Sequence, residues 1–269
     1  MISVITPTFN TPPSDLHRLW ESLKAQTYSD WEWVIWDDSI NTETWAQITG
    51  IVSDERFRVI PHRSLMHSGV IGQTKRRAFM VAEGDILVEL DHDDELTPDC
   101  LEKIALAFED PTVGFVYSDW CEILPDGLSG KYPDGWAFGF GAHYWNEQYQ
   151  YWVMSSAELN RKTMSHIVSV PNHVRSWRAT TYRELGGHNP DLPIADDYDL
   201  IVRTVLHTKT IHIPELLYIQ HIGKHTAQRQ KNDLIQRLVG EISAKYSDQL
   251  DKHFEVSGSN VTSAASMTS

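Results

Sequence analysis

Four short runs rich in β-branched and large apolar residues, Ile2–Thr6, Trp33–Trp36, Arg58–Ile60 and Ile86–Leu90, alternate over the first 110 residues with stretches of helical period. Such alternation predicts βαβ units: parallel strands in one sheet, with crossover helices covering its faces. In the first crossover Leu16, Leu19, Trp20 and Leu23 recur at i, i+3, i+4 and i+7, a single stripe for burial, and Ser14 behind Pro12-Pro13 is the expected N-cap. Further helices are expected near Glu43–Val52, Gln73–Glu83 and Pro98–Glu109, the last with Thr97 as N-cap and Pro98 in its first turn.

Beyond the run Val113–Tyr117 the pattern loosens. Between Tyr132 and Trp152 stand nine aromatics (Tyr132, Trp136, Phe138, Phe140, Tyr144, Trp145, Tyr149, Tyr151 and Trp152) without clear period, and with no Lys or Arg among them. This reads as an elaborated surface or lid, and the missing cations argue against a nucleic-acid strand as its partner. Helical period returns at Asp197–His207, a strand pair is expected at Thr210–Ile213 and Leu217–His221, and an amphipathic helix at Ala227–Leu250. The small polar end, Ser257–Ser269, buries too little apolar surface to offset ordering entropy, so disorder is expected there. The expected organisation is one domain over residues 1–255, divided near 110 and 225, followed by a tail from 256 to 269.

Composition narrows the class. With 41% hydrophobic and 22% charged residues the chain is globular, and 23 Lys+Arg against 37 Asp+Glu leaves a net charge of −14, which disfavours nucleic acid and anionic lipid. Cys100 and Cys121 form no CxxC pair, and no run approaches 18 apolar residues, so the expectation is a cytoplasmic protein without a disulfide framework or membrane span.

In an open parallel sheet, ligands bind beyond the carboxyl ends of the strands. Here those ends read Pro7-Thr8, Asp37-Asp38 and Asp91-His92-Asp93-Asp94. Five carboxylates in one crevice repel unless a cation joins them, and hard oxygen ligands suit Mg²⁺ or Mn²⁺. Capping is the competing role: Thr97, Pro98 and Asp99 already serve the helix after Asp91, Asp93 and Asp94, whereas Asp37-Asp38 have the alternative of a loop that caps the helix start at Asn41–Glu43. The segment Gly69–Lys75 matches neither GxxxxGK[ST] nor GxGxxG, so no glycine cradle for phosphates is expected.

The segments ISVITPTFN, WEWVIWDDS, GQTKRRAFMVAEGD, LVELDHDDELTPD and ADDYDL, in this order and spacing, resemble the inverting GT-A glycosyltransferases of family two, from Ile2 to about Thr226. The resemblance implies a nucleobase pocket at Pro7, Thr8 and Asp38, and a DXD-type motif at Asp91, Asp93 and Asp94 that touches the ribose and holds the metal. It implies a donor contact at Lys75, where the family usually has Arg, and a base at Asp197 beside Asp196. It further implies a metal-completing histidine at His221, with His225 four residues on as competitor. Outside the resemblance, His62 and His67 flank the loop before Gly69, where a histidine can meet phosphate, and neither is assigned to the site.

The expectation is therefore an α/β, GT-A type chain that moves a sugar from a nucleoside diphosphate sugar to a hydroxyl acceptor with inversion, using Mn²⁺ or Mg²⁺. UDP is favoured because Asp38 can accept the uracil N3–H; TDP shows the same edge. Trp136, Trp145, Trp152 and Asp196 are the expected acceptor contacts, since stacked rings suit sugar C–H faces. Two alternatives stand beside it. A nucleotidyltransferase or phosphatase also gathers acids at strand ends, although a DxDx[TV] phosphatase needs Thr or Val where Glu95 stands. The other is a carbohydrate-binding domain without catalysis.

Overall fold

The computed structural model describes residues 1–132, 140–166, 171–223 and 232–264, without the side chains of His166 and residues 256–264. The N-terminal half runs β1 (Ile2–Thr8), α1 (Pro13–Lys24), β2 (Trp31–Asp37), α2 (Glu43–Val52), β3 (Arg58–Arg63), α3 (Ile71–Met80), β4 (Ile86–Glu89), β5 (Glu95–Leu96) and α4 (Cys100–Ala107). There follow β6 (Val113–Ile123), β7 (His143–Asn146), β8 (Tyr151–Met154), α5 (Arg161–His166), β9 (Ser176–Arg178), α6 (Ala179–Glu184), α7 (Asp196–His207), β10 (Lys209–His221) and α8 (Asn232–Ala264).

The expected parallel core is present: β1 pairs in parallel with β2 and β4, and β2 with β3. Alternation along β1 divides two layers. Ile2 and Val4 join Leu16, Leu19 and Leu23 of α1 on one face, while Ile5 meets Ala78 and Phe79 of α3 on the other. The full order is β3-β2-β1-β4-β9-β6-β10-β5, and the hairpin β7–β8 attaches to β6.

Two antiparallel strands in this mostly parallel sheet decide where chemistry can occur. Because β9 runs against β4, with Val88 opposite Ser176, the residues that precede β9 lie beside the residues that end β4. Likewise β10 runs against β5 with Tyr218 opposite Leu96, which brings the end of β10 to the Asp91–Glu95 turn. A third layer forms where Ile201, Val202 and Val205 of α7 pack on Ile242, Tyr246 and Leu250 of α8.

Several local expectations are corrected. The pair Thr210–Ile213 and Leu217–His221 is one strand, parallel to β6, whose register breaks between Ile213 and Leu216. Pro214, lacking an N–H, stands in that break. The helix α3 starts two residues before Gln73 and ends at Met80. Thr97 does not cap α4, which opens at Cys100; its hydroxyl donates to Asp99 Oδ1 at 2.8 Å. Ser14 caps nothing, because α1 already begins at Pro13. The last helix runs to Ala264, past the boundary expected at 255, since each added residue extends a helix by one further hydrogen bond; residues 265–269 and 227–231 lie outside the described residues. The aromatic stretch is partly a hairpin: Tyr144, Tyr149 and Tyr151 pack on Cys121, Ile123 and Ile219, while Trp145 and Trp152 pair edge to face at 5.4 Å. Among the described residues no helix is long and apolar enough to cross a membrane.

Candidate active site

Strand pairing places the acidic end of β4, the segment before β9, the end of β10 and the start of α7 around one cleft of about 250 Å³. Lys75, Asp91, His173, Arg175, Asp196, Asp197 and Gln220 are among its lining residues, with Ile235 and Val239 of α8 along one side.

Its first feature is a carboxylate–imidazole group. Asp91, Asp94 and His173 each direct one ligand atom into a space where all three lie within 4.8 Å of one another. Tyr218 organises them: its hydroxyl donates to Asp94 Oδ2 at 2.7 Å, its oxygen accepts the Asp91 N–H at 3.2 Å, and its ring stacks on His173 at 3.9 Å. The backbone N–H of His221 donates to Asp94 Oδ1 at 2.7 Å. Burial first, then the neighbouring charges of Asp93 and Asp91, push the Asp94 carboxyl well above its usual range, and burial with Glu89 and Asp93 raises Asp91. Burial and the Arg175 charge hold the His173 imidazole well below its usual value, hence neutral and able to ligate. Two crowded carboxyls whose ionisation awaits a neutralising cation, beside a neutral imidazole, are the donor set of a hard or borderline divalent ion, so these residues fit Mn²⁺ or Mg²⁺.

The second feature is a buried chain of charges. Lys75 Nζ donates to Glu89 Oε1 at 2.6 Å, Arg175 Nε stands 3.7 Å from Glu89 Oε2, and Arg175 Nη1 donates to Asp197 Oδ2 at 2.8 Å. Burial would lower the Lys75 ammonium, but Glu89, then Asp196 and Asp91, more than reverse it. Burial likewise opposes ionisation of Glu89 and Asp197, and the cations prevail: Arg175 and Lys75 hold Glu89 far down, and they hold Asp197 below its usual range. Asp196 has the opposite fate. Burial, Asp197 and Glu89 push it up to about 7 against the pull of Lys75. His188, fully buried 3.8 Å from both Glu89 Oε2 and Asp196 Oδ2, is driven down to about 3 by burial.

Backbone geometry aims the acidic pair. Ala195 takes the left-handed region at φ 61, which costs on the order of 1 kcal/mol for a residue with a Cβ. The turn delivers Asp196 and Asp197 into the first turn of α7, at the cleft. Gly72 sets the depth of α3 against this loop: a Cβ there would lie 2.3 Å from the Asn189 carbonyl oxygen and 2.9 Å from that of Leu192. That close approach carries Lys75, one turn on, toward Glu89.

The expected site residues are thus divided. Asp91, Asp94, Lys75, Asp196 and Asp197 meet, whereas the five strand-end carboxylates do not form one cluster. Asp37 accepts from Thr8 Oγ1 at 3.1 Å and faces Arg63; Asp38 accepts from His67 Nδ1 at 2.9 Å, from Ser68 and from Thr74. Against its burial, hydrogen bonds from Ser64 and Ser68 and the charge of His67 hold Asp38 below its usual range. Pro7 and Thr8 end β1 as expected. Asp93 and His221 flank the metal-type group without joining it: the Asp93 backbone oxygen accepts from the Arg18 guanidinium, and His221 Nε2 lies 2.7 Å from Glu95 Oε1. His62 stacks on Trp36 at 5.2 Å. Trp145 and Trp152 stand outside the cleft lining, with Lys131 Nζ 3.3 Å over the Trp152 ring. Trp136 and His225 lie outside the described residues. Glu89, His173, Arg175, His188 and Tyr218 were not anticipated. One signal existed: a Glu inside the apolar run ILVEL has to find a cation once its strand is buried.

Comparison with known proteins identifies the family and the fold. The glycosyl transferase family 2 model matches residues 3–164. The putative colanic acid biosynthesis glycosyl transferase WcaA of Escherichia coli is 25% identical over 228 residues, covering 82% of this chain and 73% of that protein. The first curated relatives are much longer, and the chain spans only 22% and 16% of their lengths. Among solved structures, S. aureus TarS 1-349 in complex with UDP-GlcNAc aligns at TM-score 0.66 and 16% identity, over 90% of this chain and 66% of that one. The mannosyltransferase PcManGT from Pyrobaculum calidifontis, in complex with GDP-Man and Mn²⁺, aligns at TM-score 0.63 and 16% identity, over 100% and 76%. These structures share the mixed α/β, GT-A fold of this one. With more than half its length matched by the family model and the sheet assembled in that form, the chain belongs to glycosyl transferase family 2.

Proposed function

We infer that the chain transfers a sugar from a nucleoside diphosphate sugar, with UDP the favoured carrier, to a hydroxyl acceptor with inversion at the anomeric carbon. The observation that carries this reading is the sharing of one cleft by a metal-type group, Asp91, Asp94 and His173, and an accessible carboxylate, Asp197, whose side chain is 34% exposed. The UDP-GlcNAc complex of TarS and the Mn²⁺ complex of PcManGT support the donor class and the ion. Asp91, Asp94 and His173 would hold the divalent ion, which supplies Lewis-acid neutralisation of the departing diphosphate.

The remaining work falls to the chain's own groups. Asp197 accepts the acceptor's hydroxyl proton while that oxygen bonds to the anomeric carbon, and the bond to the diphosphate oxygen breaks with its electron pair leaving on the nucleoside diphosphate. Of the two acids at the start of α7, Asp197 suits this role because it is accessible and held ionised by Arg175. Asp196 is 2% exposed and retains its proton up to about pH 7, so it serves as a neutral wall of the cleft. Asp38 and Thr8 are assigned the nucleobase end, and Trp145, which is exposed, with its half-buried partner Trp152 the acceptor side.

A panel of UDP-, TDP- and GDP-sugars with Mn²⁺, read by nucleotide release and thermal shift, tests the assignment. The expected result is one carrier that both raises the melting temperature and turns over, with Asp197→Asn keeping the shift and losing about 10²-fold or more in turnover. Silence across the panel, or an undiminished Asp197→Asn, overturns it.

A further inference from the structure

The chain of charges between Lys75 and Asp197 is a costly arrangement for stability alone. Lys75 is 8% exposed, Glu89 2% and Arg175 5%, so three ions have been taken from water, and apolar residues of similar volume stabilise a protein as well or better. Its members come from four separate elements or their flanks, α3, β4, the segment before β9, and α7, and the Val88–Ser176 register sets the second beside the third. The four formal charges cancel. Each end opens on the cleft, Lys75 at the foot of α3 and Asp197 at the start of α7. Glu89 is the hub: its Oε1 accepts from Lys75, while Oε2 and the facing Arg175 Nε are both buried without a hydrogen-bond partner among the described residues. Arg175 therefore sits 3.7 Å from its anchor and 2.8 Å from Asp197, with its guanidinium committed most closely to the acid.

We propose that Arg175 is a positioning residue for sugar transfer: tethered through Glu89 to Lys75, it fixes the orientation of the Asp197 carboxylate and keeps it aimed into the cleft. This rests on the reading of Asp197 as the base. Arginine suits the task because its planar fork reaches two carboxylates in fixed directions, which a lysine ammonium does not. A base displaced by about 1 Å loses on the order of 10²-fold in rate while the substrate still binds.

The test compares Arg175→Gln, Arg175→Lys, Glu89→Gln and Asp197→Asn on the nucleotide-sugar panel with Mn²⁺, measuring kcat for nucleotide release, donor affinity by calorimetry, and melting temperature. Arg175→Gln is expected to lower kcat by about 10²-fold with donor affinity within about threefold of wild type, because Lys75 and Glu89 remain paired. Arg175→Lys, which keeps the buried charge and so the fold, should recover part of the lost kcat. Glu89→Gln should fall between, since Arg175 then loses its tether. A normal kcat in Arg175→Lys and Arg175→Gln, with Asp197→Asn inert, overturns the positioning role and leaves the base assignment standing. Equal losses of kcat, affinity and melting temperature in every Arg175 and Glu89 variant also overturn it, showing a purely structural ion pair. If Asp197→Asn turns over normally, or wild type is silent on the whole panel, the underlying reading fails and this inference with it.

Discussion

His188→Gln isolates the acid sensitivity of the buried charge chain. The carboxyl oxygens of Glu89 and Asp196, each 3.8 Å from Nε2, favour the ring proton on that nitrogen, which leaves Nδ1 to accept from the Tyr182 hydroxyl at 2.8 Å, while the tyrosine oxygen accepts the His188 backbone N–H at 3.1 Å. Burial lowers the folded value to about 3 from the ordinary 6.5. A depressed folded value means that the unfolded chain takes up the proton first, so this stability is complete above 6.5 and is lost as pH falls from there toward 3. At about pH 5 the loss spans roughly 1.5 pH units, or about 2 kcal/mol. Asp196 works in the other direction. Raised to about 7, it stabilises the fold below the unfolded value of 3.8, and that contribution is lost as pH rises through 7. In wild type the two trends oppose each other between about pH 7.5 and pH 5. Glutamine keeps an acceptor for Tyr182 and a donor toward Glu89 but does not titrate. Urea unfolding of both proteins in EDTA at the two pH values should therefore show the variant gaining about 2 kcal/mol more on acidification than wild type does. Parallel responses would refute the neutral, buried imidazole.

Gly72→Ala should destabilise the fold by about 2–3 kcal/mol, because its Cβ meets backbone carbonyls that cannot rotate away; a wild-type urea midpoint would show that the α3–α7 contact is loose. Trp145→Ala, at a 38% exposed ring, should leave melting temperature and donor hydrolysis near wild type while raising the acceptor KM for transfer. Equal loss of hydrolysis, transfer and stability would place Trp145 in the core of the hairpin instead. Tyr218→Phe should cost about 1–3 kcal/mol in the metal-free protein, since the Asp91 N–H loses its buried acceptor, and an unchanged midpoint would exclude that role.

What could be read from residues alone were features written locally. The alternation from Ile2 to Leu90 specifies β1 to β4 and their helices, and the acidic residues after β4 and at the start of α7 fall at chain reversals where ligands gather. The other half of the cleft depends on register. His173 and Arg175 reach Asp91 and Glu89 only because β9 inserts antiparallel between two parallel sets, and Tyr218 reaches Asp94 only because β10 pairs with β5. A three-residue strand such as Ser176–Arg178 has no periodicity to announce it. That His173 rather than His221 stands beside the acids turns on the same point: His221 ends β10 and His173 precedes β9, and pairing turns the first to Glu95 and the second to Asp91 and Asp94. Glu89 was legible as an anomaly, though not its partners.

The most direct test of the central claim is calorimetric titration of UDP into wild type, Asp94→Asn and His173→Ala, each with Mn²⁺ and with EDTA. Asn at 94 retains an acceptor for the His221 N–H and replaces a carboxyl whose ionisation burial and its acidic neighbours oppose, so the metal-free fold should hold or gain in melting temperature. Wild type should bind UDP with Mn²⁺ and lose most of that affinity in EDTA, while both variants bind equally weakly under the two conditions. Wild-type affinity that is indifferent to EDTA, or variants that keep the full Mn²⁺-dependent gain, would contradict the assignment of Asp91, Asp94 and His173.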